Sequence, residues 1–126
     1  MVDDQTGSPT WARWLARATA DVLRKPDLIP QYGGTYHLAA AGHVTRYELA
    51  NAIINTMKDI SGDPGGWAKL SPITTAQYPL PARRPRNPVM SKDKVKQVFG
   101  VEMSRWESQL RSCLVELSDA SHRGAA

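Results

Sequence analysis

GTYHLAAAGHVTRYELANAI, residues 34–53, holds the transition on which the fold turns. Thr35-Tyr36-His37-Leu38-Ala39 has the β-prone residues and the length of a short strand. Gly42-His43-Val44 follows as a turn. Thr45 and Glu48 then stand at capping-box spacing: the Thr hydroxyl can accept the Glu48 N–H while the Glu carboxylate reaches back. The helix this opens carries Ala50, Ile53, Ile54 and Met57 on one face. Ser61-Gly62-Asp63-Pro64-Gly65-Gly66 closes it with turn formers. A short strand leading into an amphipathic helix is an α/β signature.

Upstream, Val2-Asp3-Asp4-Gln5 reads as the end of a strand. Ser8-Pro9 suits a helix start, Ser8 as N-cap and Pro9 in the first turn. Trp11, Trp14, Leu15, Ala18 and Val22 recur on one helical face until Pro26 and Pro30 stop it. Downstream, Lys69 to Thr74 suits a short strand, with Pro72 confining it to an edge. Thr75 to Tyr78 suits a single helical turn. Ser91 caps a helix that runs to Phe99 and ends at Gly100. Ser104 and Glu107 repeat the capping-box spacing. Trp106, Leu110, Leu114 and Leu117 make the stripe of the last helix, with a frayed tail expected over 118–126. Two short strands make no stable sheet by themselves, and the helices need a further surface to cover their apolar faces. The pattern predicts one part of a larger α/β protein.

The 126 residues carry 41% hydrophobic side chains and a formal charge of +4. A core is affordable at this length, and the charge excess is too small and too scattered for a nucleic-acid face. Cys113 is the single cysteine, so no internal disulfide forms. With Leu110, Leu114 and Leu117 around it, Cys113 reads as a buried thiol rather than a nucleophile. No apolar run is long enough to span a bilayer, and the polar start is unlike a signal peptide. A cytoplasmic location is the expectation. His37, His43 and His122 show no zinc spacing, and Asp3 and Asp4 point to opposite sides of a strand. No metal site is expected.

The densest chemistry is ARRPRNP, residues 82–88. Arg83, Arg84 and Arg86 offer planar forks that match phosphate oxygens. Pro85 and Pro88 stiffen the run, which lowers the ordering cost of closing on a ligand. Asn87 can both donate to and accept from a sugar hydroxyl. From the residues alone, a ligand-gripping loop and a solvated basic loop stand level. Catalytic signals are lacking. No Gly-rich phosphate turn occurs, and no Tyr is followed four positions later by Lys.

DDQTGSPTWARWLA, GTYHLAAAGHVTRYELANAI, PITTAQYPLPARRPRNPVMSKDKVKQVFG and RWESQL, taken in order, resemble the C-terminal part of the dTDP-4-dehydrorhamnose reductases, members of the extended short-chain dehydrogenase/reductase superfamily. The likeness runs from about Val2 to Leu117. It implies an α/β fold in two parts. A Rossmann domain would bind NADPH and hold the catalytic Thr, Tyr and Lys, and a smaller C-terminal portion, residues 1–117 here, would close over the nucleotide sugar. The reaction it implies reduces dTDP-4-dehydro-L-rhamnose to dTDP-L-rhamnose, a precursor of cell-surface polysaccharide.

What the likeness assigns within this chain is limited. Arg84 is implied to face the substrate diphosphate, with Arg83 supporting it and Asn87 near the nucleotide's sugar. Gly7, Ser8, Pro9 and Thr10 match a turn at the carboxyl edge of the sheet. Catalytic and cofactor-binding residues are expected to be absent, the chain being a truncated product or excised piece whose packing partner is the missing Rossmann domain. A homodimer is compatible with this. Pro88 stands where the family has Ser, which removes a hydroxyl and an N–H. Arg13 stands where some members have a Glu that shares an intersubunit magnesium. Glu116 matches another such Glu but cannot make that site alone, so no metal-bridged dimer is expected. The alternative is a non-catalytic sugar-nucleotide-binding or regulatory module.

Overall fold

Local capping decides where α3 lies, and α3 organises one half of the molecule. In the computed structural model, which describes residues 1–63, 65–82 and 85–123, α3 spans Arg46–Ser61. The Thr45 hydroxyl accepts the Glu48 N–H at 3.1 Å, and a Glu48 carboxylate oxygen accepts the Thr45 N–H at 2.9 Å. Two of the orphan donors at the helix start are thereby satisfied. Gly62 ends the helix at φ 68°, in the left-handed region. The face differs from the expected one. Leu49 and Ala52 pack toward Ala40, Val44 and Trp106, whereas Ile53 stays 36% exposed. The helix packs against α5 (Trp106–Arg123), while Ala50, Ile54 and Met57 of the expected face are half-buried.

Just before α3, β2 (Val44–Thr45) pairs antiparallel with β1 (Thr6–Gly7), Thr6 opposite Thr45 and Gly7 opposite Val44. Thr35–Ala39 does not form the expected ladder strand. Its alternation survives: Tyr36 and Leu38 pack inward while Thr35 and His37 face out. What holds it is different. Lys94 Nζ donates to Thr35 O at 3.0 Å, Lys92 Nζ to Ala40 O at 3.3 Å, and the Ala40 N–H donates to Thr10 Oγ1 at 2.9 Å. A strand needs a neighbour to exchange backbone bonds with, and among the described residues none lies beside this segment. Lys69–Thr74 is likewise reduced to one bridge, Ile73 parallel to Val2, with the Asp3 N–H donating to Ile73 O at 2.9 Å. The architecture is helices with a few very short strands.

The first helix, α1, runs Ala12–Leu23 and starts later than Ser8-Pro9 predicted. Ser8 does not cap it. Its hydroxyl donates instead to Gly42 O at 2.7 Å, tying the first turn to the one before β2. Trp11 stands at the N-cap with no side-chain cap, and its N–H donates to Gln109 Oε1 at 3.0 Å. A short α2 (Leu28–Gln31) follows. One core cluster joins Ala18 of α1 to Val95 and Phe99 of α4 (Asp93–Phe99) and to Val101 and Met103. Gly100 ends α4 at φ 63°. The N-cap of α4 is Lys92 rather than the expected Ser91, with no side-chain cap; Ser91, one residue earlier, still accepts the Asp93 N–H with its hydroxyl at 3.2 Å. Thr75–Gln77 forms the expected single turn, 3-10 in kind, with Thr74 and Gln77 in a reciprocal cap.

At the start of α5 the second expected capping box is missing. Glu107 pairs with Arg105 at 2.7 Å, and that guanidinium, chiefly by its hydrogen bond, holds the Glu107 carboxyl below its ordinary range. The Ser104 hydroxyl is buried with no hydrogen-bond partner among the described residues. The fully buried Gln109 takes over, donating from Nε2 to Ser104 O at 3.0 Å. The last helix continues to Arg123, and Leu117 at its outer end is 57% exposed.

Gly42 carries the turn between these parts. Its φ is 81°, and a Cβ there would meet Trp106 Cδ1 at 3.1 Å. Gly42→Ala is expected to cost more than about 1 kcal/mol, from left-handed backbone strain and the crowded indole. Urea unfolding of the variant beside the parent checks this.

Candidate functional site

The proline-rich loop is fastened to β1 at its far end. Arg86 O accepts the Thr6 N–H at 2.9 Å and lies 3.3 Å from the Thr6 hydroxyl. Asn87 Oδ1 accepts from the same hydroxyl at 3.3 Å and from the Val89 N–H at 3.1 Å. Pro88 explains the second bond: it has no N–H to offer, so the Asn87 oxygen takes the next one along. The Asn87 carbonyl is therefore committed within the protein, which leaves its NH₂ as the group to offer a ligand. Arg83 and Arg84 lie outside the described residues.

Inside this loop opens a cleft of about 900 Å³. Its walls come from the first residues of the chain, the start of α3, the Thr75 turn and the loop itself. Arg46 and Arg86 both line it, with Tyr78 and Leu80 on the apolar side. Asn87 is not part of the wall. The DDQ stretch shapes the floor. Asp3 and Asp4 do point apart, and each carboxylate is held by a threonine. Thr45 Oγ1 donates to Asp3 at 2.6 Å; Thr75 donates to Asp4 from its hydroxyl at 2.6 Å and from its N–H at 2.9 Å. The buried Gln5 donates to Thr75 Oγ1 at 2.9 Å.

These bonds leave a trace in the acid range. The Thr75 hydroxyl, more than any other cause, lowers the Asp4 pKa from its ordinary 3.8, with the Thr75 N–H and the Arg86 charge acting in the same direction. A lowered folded-state pKa gives stability that is present above the unfolded value and is lost as pH falls through the folded one. Asp4→Asn is therefore expected to flatten the acid limb of thermal stability below about pH 4 while the difference from the parent stays constant near neutrality. Melting curves across pH check this; parallel acid limbs would show that Asp4 is not the group involved.

Arg46, Tyr78, Thr75 and Asp4 escaped the sequence reading as site residues. One signal was there: Arg46 opens α3, where a cation faces the positive end of the helix dipole. The remaining candidates sit elsewhere. His37 and His43 are exposed, and Cys113 is half-buried. Among the described residues no group of three or more His, Cys, Asp or Glu could hold a metal ion. Arg13 and Glu116, the positions implied for a shared magnesium in some members, form an ion pair at 2.6 Å between α1 and α5. Both are substantially exposed, so the pair is worth about 0–1 kcal/mol. Gly33-Gly34 follow α2, and Gly65-Gly66 follow α3. Neither pair joins a strand to a helix, so the described residues do not fit a dinucleotide's diphosphate.

A mostly helical unit with a two-stranded sheet, and a cationic cleft closed by a proline-rich loop, defines a ligand-binding portion. The chain belongs to the family described as the RmlD substrate binding domain, whose model matches residues 1–119. A dTDP-4-dehydrorhamnose reductase of Burkholderia thailandensis is 36% identical over 122 residues, covering 93% of this chain and 41% of that protein. A crystal structure of a dTDP-4-dehydrorhamnose reductase from Clostridium acetobutylicum superposes with a TM-score of 0.73 at 26% identity, over 94% of this chain and 39% of that one. For the Bacillus anthracis enzyme, solved in complex with NADP, the TM-score is 0.74 at 23% identity, over 91% and 37%; that likeness concerns the fold. The chain thus spans about two fifths of the length of the curated relatives it matches. Among the described residues no helix is long and apolar enough to cross a membrane.

Proposed function

We propose that this chain is the substrate-binding portion of an NADPH-dependent reductase of a dTDP-4-keto sugar, with dTDP-4-dehydro-L-rhamnose as substrate and dTDP-L-rhamnose as product. One observation carries the reading beyond family membership: the proline-rich loop, fastened to β1 through Thr6, forms a wall of a cleft large enough for a nucleotide sugar. Arg84, supported by Arg83, grips the diphosphate, and the Asn87 NH₂ reaches the nucleotide's sugar. The contribution is charge neutralisation and positioning. Hydride and proton transfer belong to a Rossmann portion with its NADPH, which packs on the apolar faces left open here. The cytoplasm, where nucleotide sugars and NADPH meet, is the corresponding location.

The test is to supply that portion in trans. The N-terminal three fifths of the Burkholderia relative, made separately, is mixed with this chain, and NADPH oxidation by the 4-keto sugar is followed. A gain of activity over either part alone is expected. A mixture that associates, as judged by size-exclusion chromatography, yet reduces nothing would contradict the reading and leave a non-catalytic sugar-nucleotide module.

A further inference from the structure

We propose that Arg46 and Arg86 form a second cationic anchor in the cleft, gripping the diphosphate of a nucleoside diphosphate whose base lies against the Tyr78 ring. This rests on the nucleotide-sugar reading above and assigns residues that the family motif does not. Arg46 comes from the first turn of α3 and Arg86 from the end of the proline-rich loop, yet both line one cleft. Among the described residues neither guanidinium makes an ion pair, whereas Arg13, Arg24 and Arg105 each do. The carboxylates around them have other partners: Asp3 and Asp4 accept from Thr45 and Thr75, and Glu48 accepts the Thr45 N–H. Arg86 lies near enough to Asp4 for its charge to favour that carboxylate, but it makes no ion pair with it, so both forks keep hydrogen-bonding capacity for oxygen atoms brought by a ligand.

Arg46 is the more telling of the two. A cation at the first position of a helix faces the dipole's positive end, which is unfavourable to the helix. Here a complete capping box between Thr45 and Glu48 starts α3. An incoming phosphate reverses that sign by pairing with the guanidinium itself, the N–H groups of Tyr47 and Glu48 being taken by Val2 O and the Thr45 hydroxyl. Two forks from separate elements suit two linked phosphates better than one point charge would. Tyr78 supplies the other half of the recognition. It lines the same cleft and is 55% exposed, with Leu80 beside it 48% exposed, so a flat apolar surface is offered to a planar base. A cleft of about 900 Å³ lies within the range that takes a ligand of this size.

Calorimetric titration of the 126-residue chain with dTDP, thymidine and inorganic pyrophosphate tests this, using the parent, Arg46→Gln, Arg86→Gln, the double variant, Tyr78→Ala and, in parallel, Arg84→Ala. All three newly assigned side chains are exposed, so unchanged melting curves are expected to show that the variants fold. Each arginine substitution is expected to weaken dTDP about tenfold and the pair about a hundredfold. Tyr78→Ala should weaken dTDP about tenfold and leave pyrophosphate unaltered. Undiminished dTDP binding by the double variant, with loss in Arg84→Ala, would overturn the second anchor and leave the nucleotide-sugar reading standing. No dTDP binding by the parent chain would overturn both. Pyrophosphate binding as tight as dTDP would overturn the role of Tyr78.

Discussion

The 126-residue chain, mixed by itself with NADPH and a dTDP-4-keto sugar, is expected to oxidise no NADPH above the rate in buffer. Reduction of a ketone needs a hydride donor held against the carbonyl carbon and an acid placed at its oxygen. Positioning of that kind is worth about 7–11 kcal/mol and a placed acid a further 10²–10⁴-fold. Neither is provided here. The four tyrosines, Tyr32, Tyr36, Tyr47 and Tyr78, are followed at the fourth position by Tyr36, Ala40, Asn51 and Ala82, so none stands in a Tyr-x-x-x-Lys pair. The cleft's titratable side chains are two arginines, a tyrosine and an aspartate already bound by Thr75. Such a set can neutralise and orient a diphosphate, but it cannot supply hydride. Turnover that follows the purified chain through successive columns and scales with its concentration would contradict this.

Phe99→Ala carries the largest expected loss of stability. Phe99 is 3% exposed and ends α4, with its ring edge-on to Tyr36 at 5.1 Å between centroids. It joins α4 to α1 through Ala18, and to the extended 36–38 segment through Tyr36 and Leu38. Lys25 Nζ donates to its carbonyl oxygen, so the backbone around the cavity is tethered and closes poorly over a missing ring. A truncation of this kind costs about 3–5 kcal/mol, against a total of about 5–15 kcal/mol for a domain. Phe99→Leu retains most of the volume and is expected to cost under about 1.5 kcal/mol. Urea unfolding of both variants measures the difference. A cost below about 1 kcal/mol for Phe99→Ala would show that this cluster is not the core.

Signals confined to a few residues were legible. Thr45 with Glu48, the Thr75 turn, and Gly62 and Gly100 as helix ends all act where their spacing placed them, while the cap expected at Ser91 falls one residue later, at Lys92. Signals that depend on a distant competitor were not. Ser104 and Glu107 have the same spacing as Thr45 and Glu48, but Arg105 captures the glutamate and packing buries the serine hydroxyl. Ser8 is a good cap by type, yet α1 starts only at Ala12, with Trp11 at the N-cap, and the Ser8 hydroxyl donates to Gly42 O instead. Thr35–Ala39 has a strand's alternation without a neighbouring strand, and no local pattern reveals that lysines will bind its carbonyls instead. The candidate site divides in the same manner. ARRPRNP was legible as a cationic loop because the arginines adjoin. Arg46 was not, because only the tertiary fold brings α3's first turn to the same cleft. Asn87's partial commitment to Thr6 rests on a contact across most of the chain.

Titrating dTDP into the chain and into its Arg84→Ala variant tests most directly whether this is a nucleotide-sugar-binding portion. The account predicts saturable binding by the parent that weakens steeply with added salt, as contacts between guanidinium and phosphate do. It also predicts at least about a tenfold loss on removing Arg84. No binding by the parent, or equal binding by the two proteins, would contradict it.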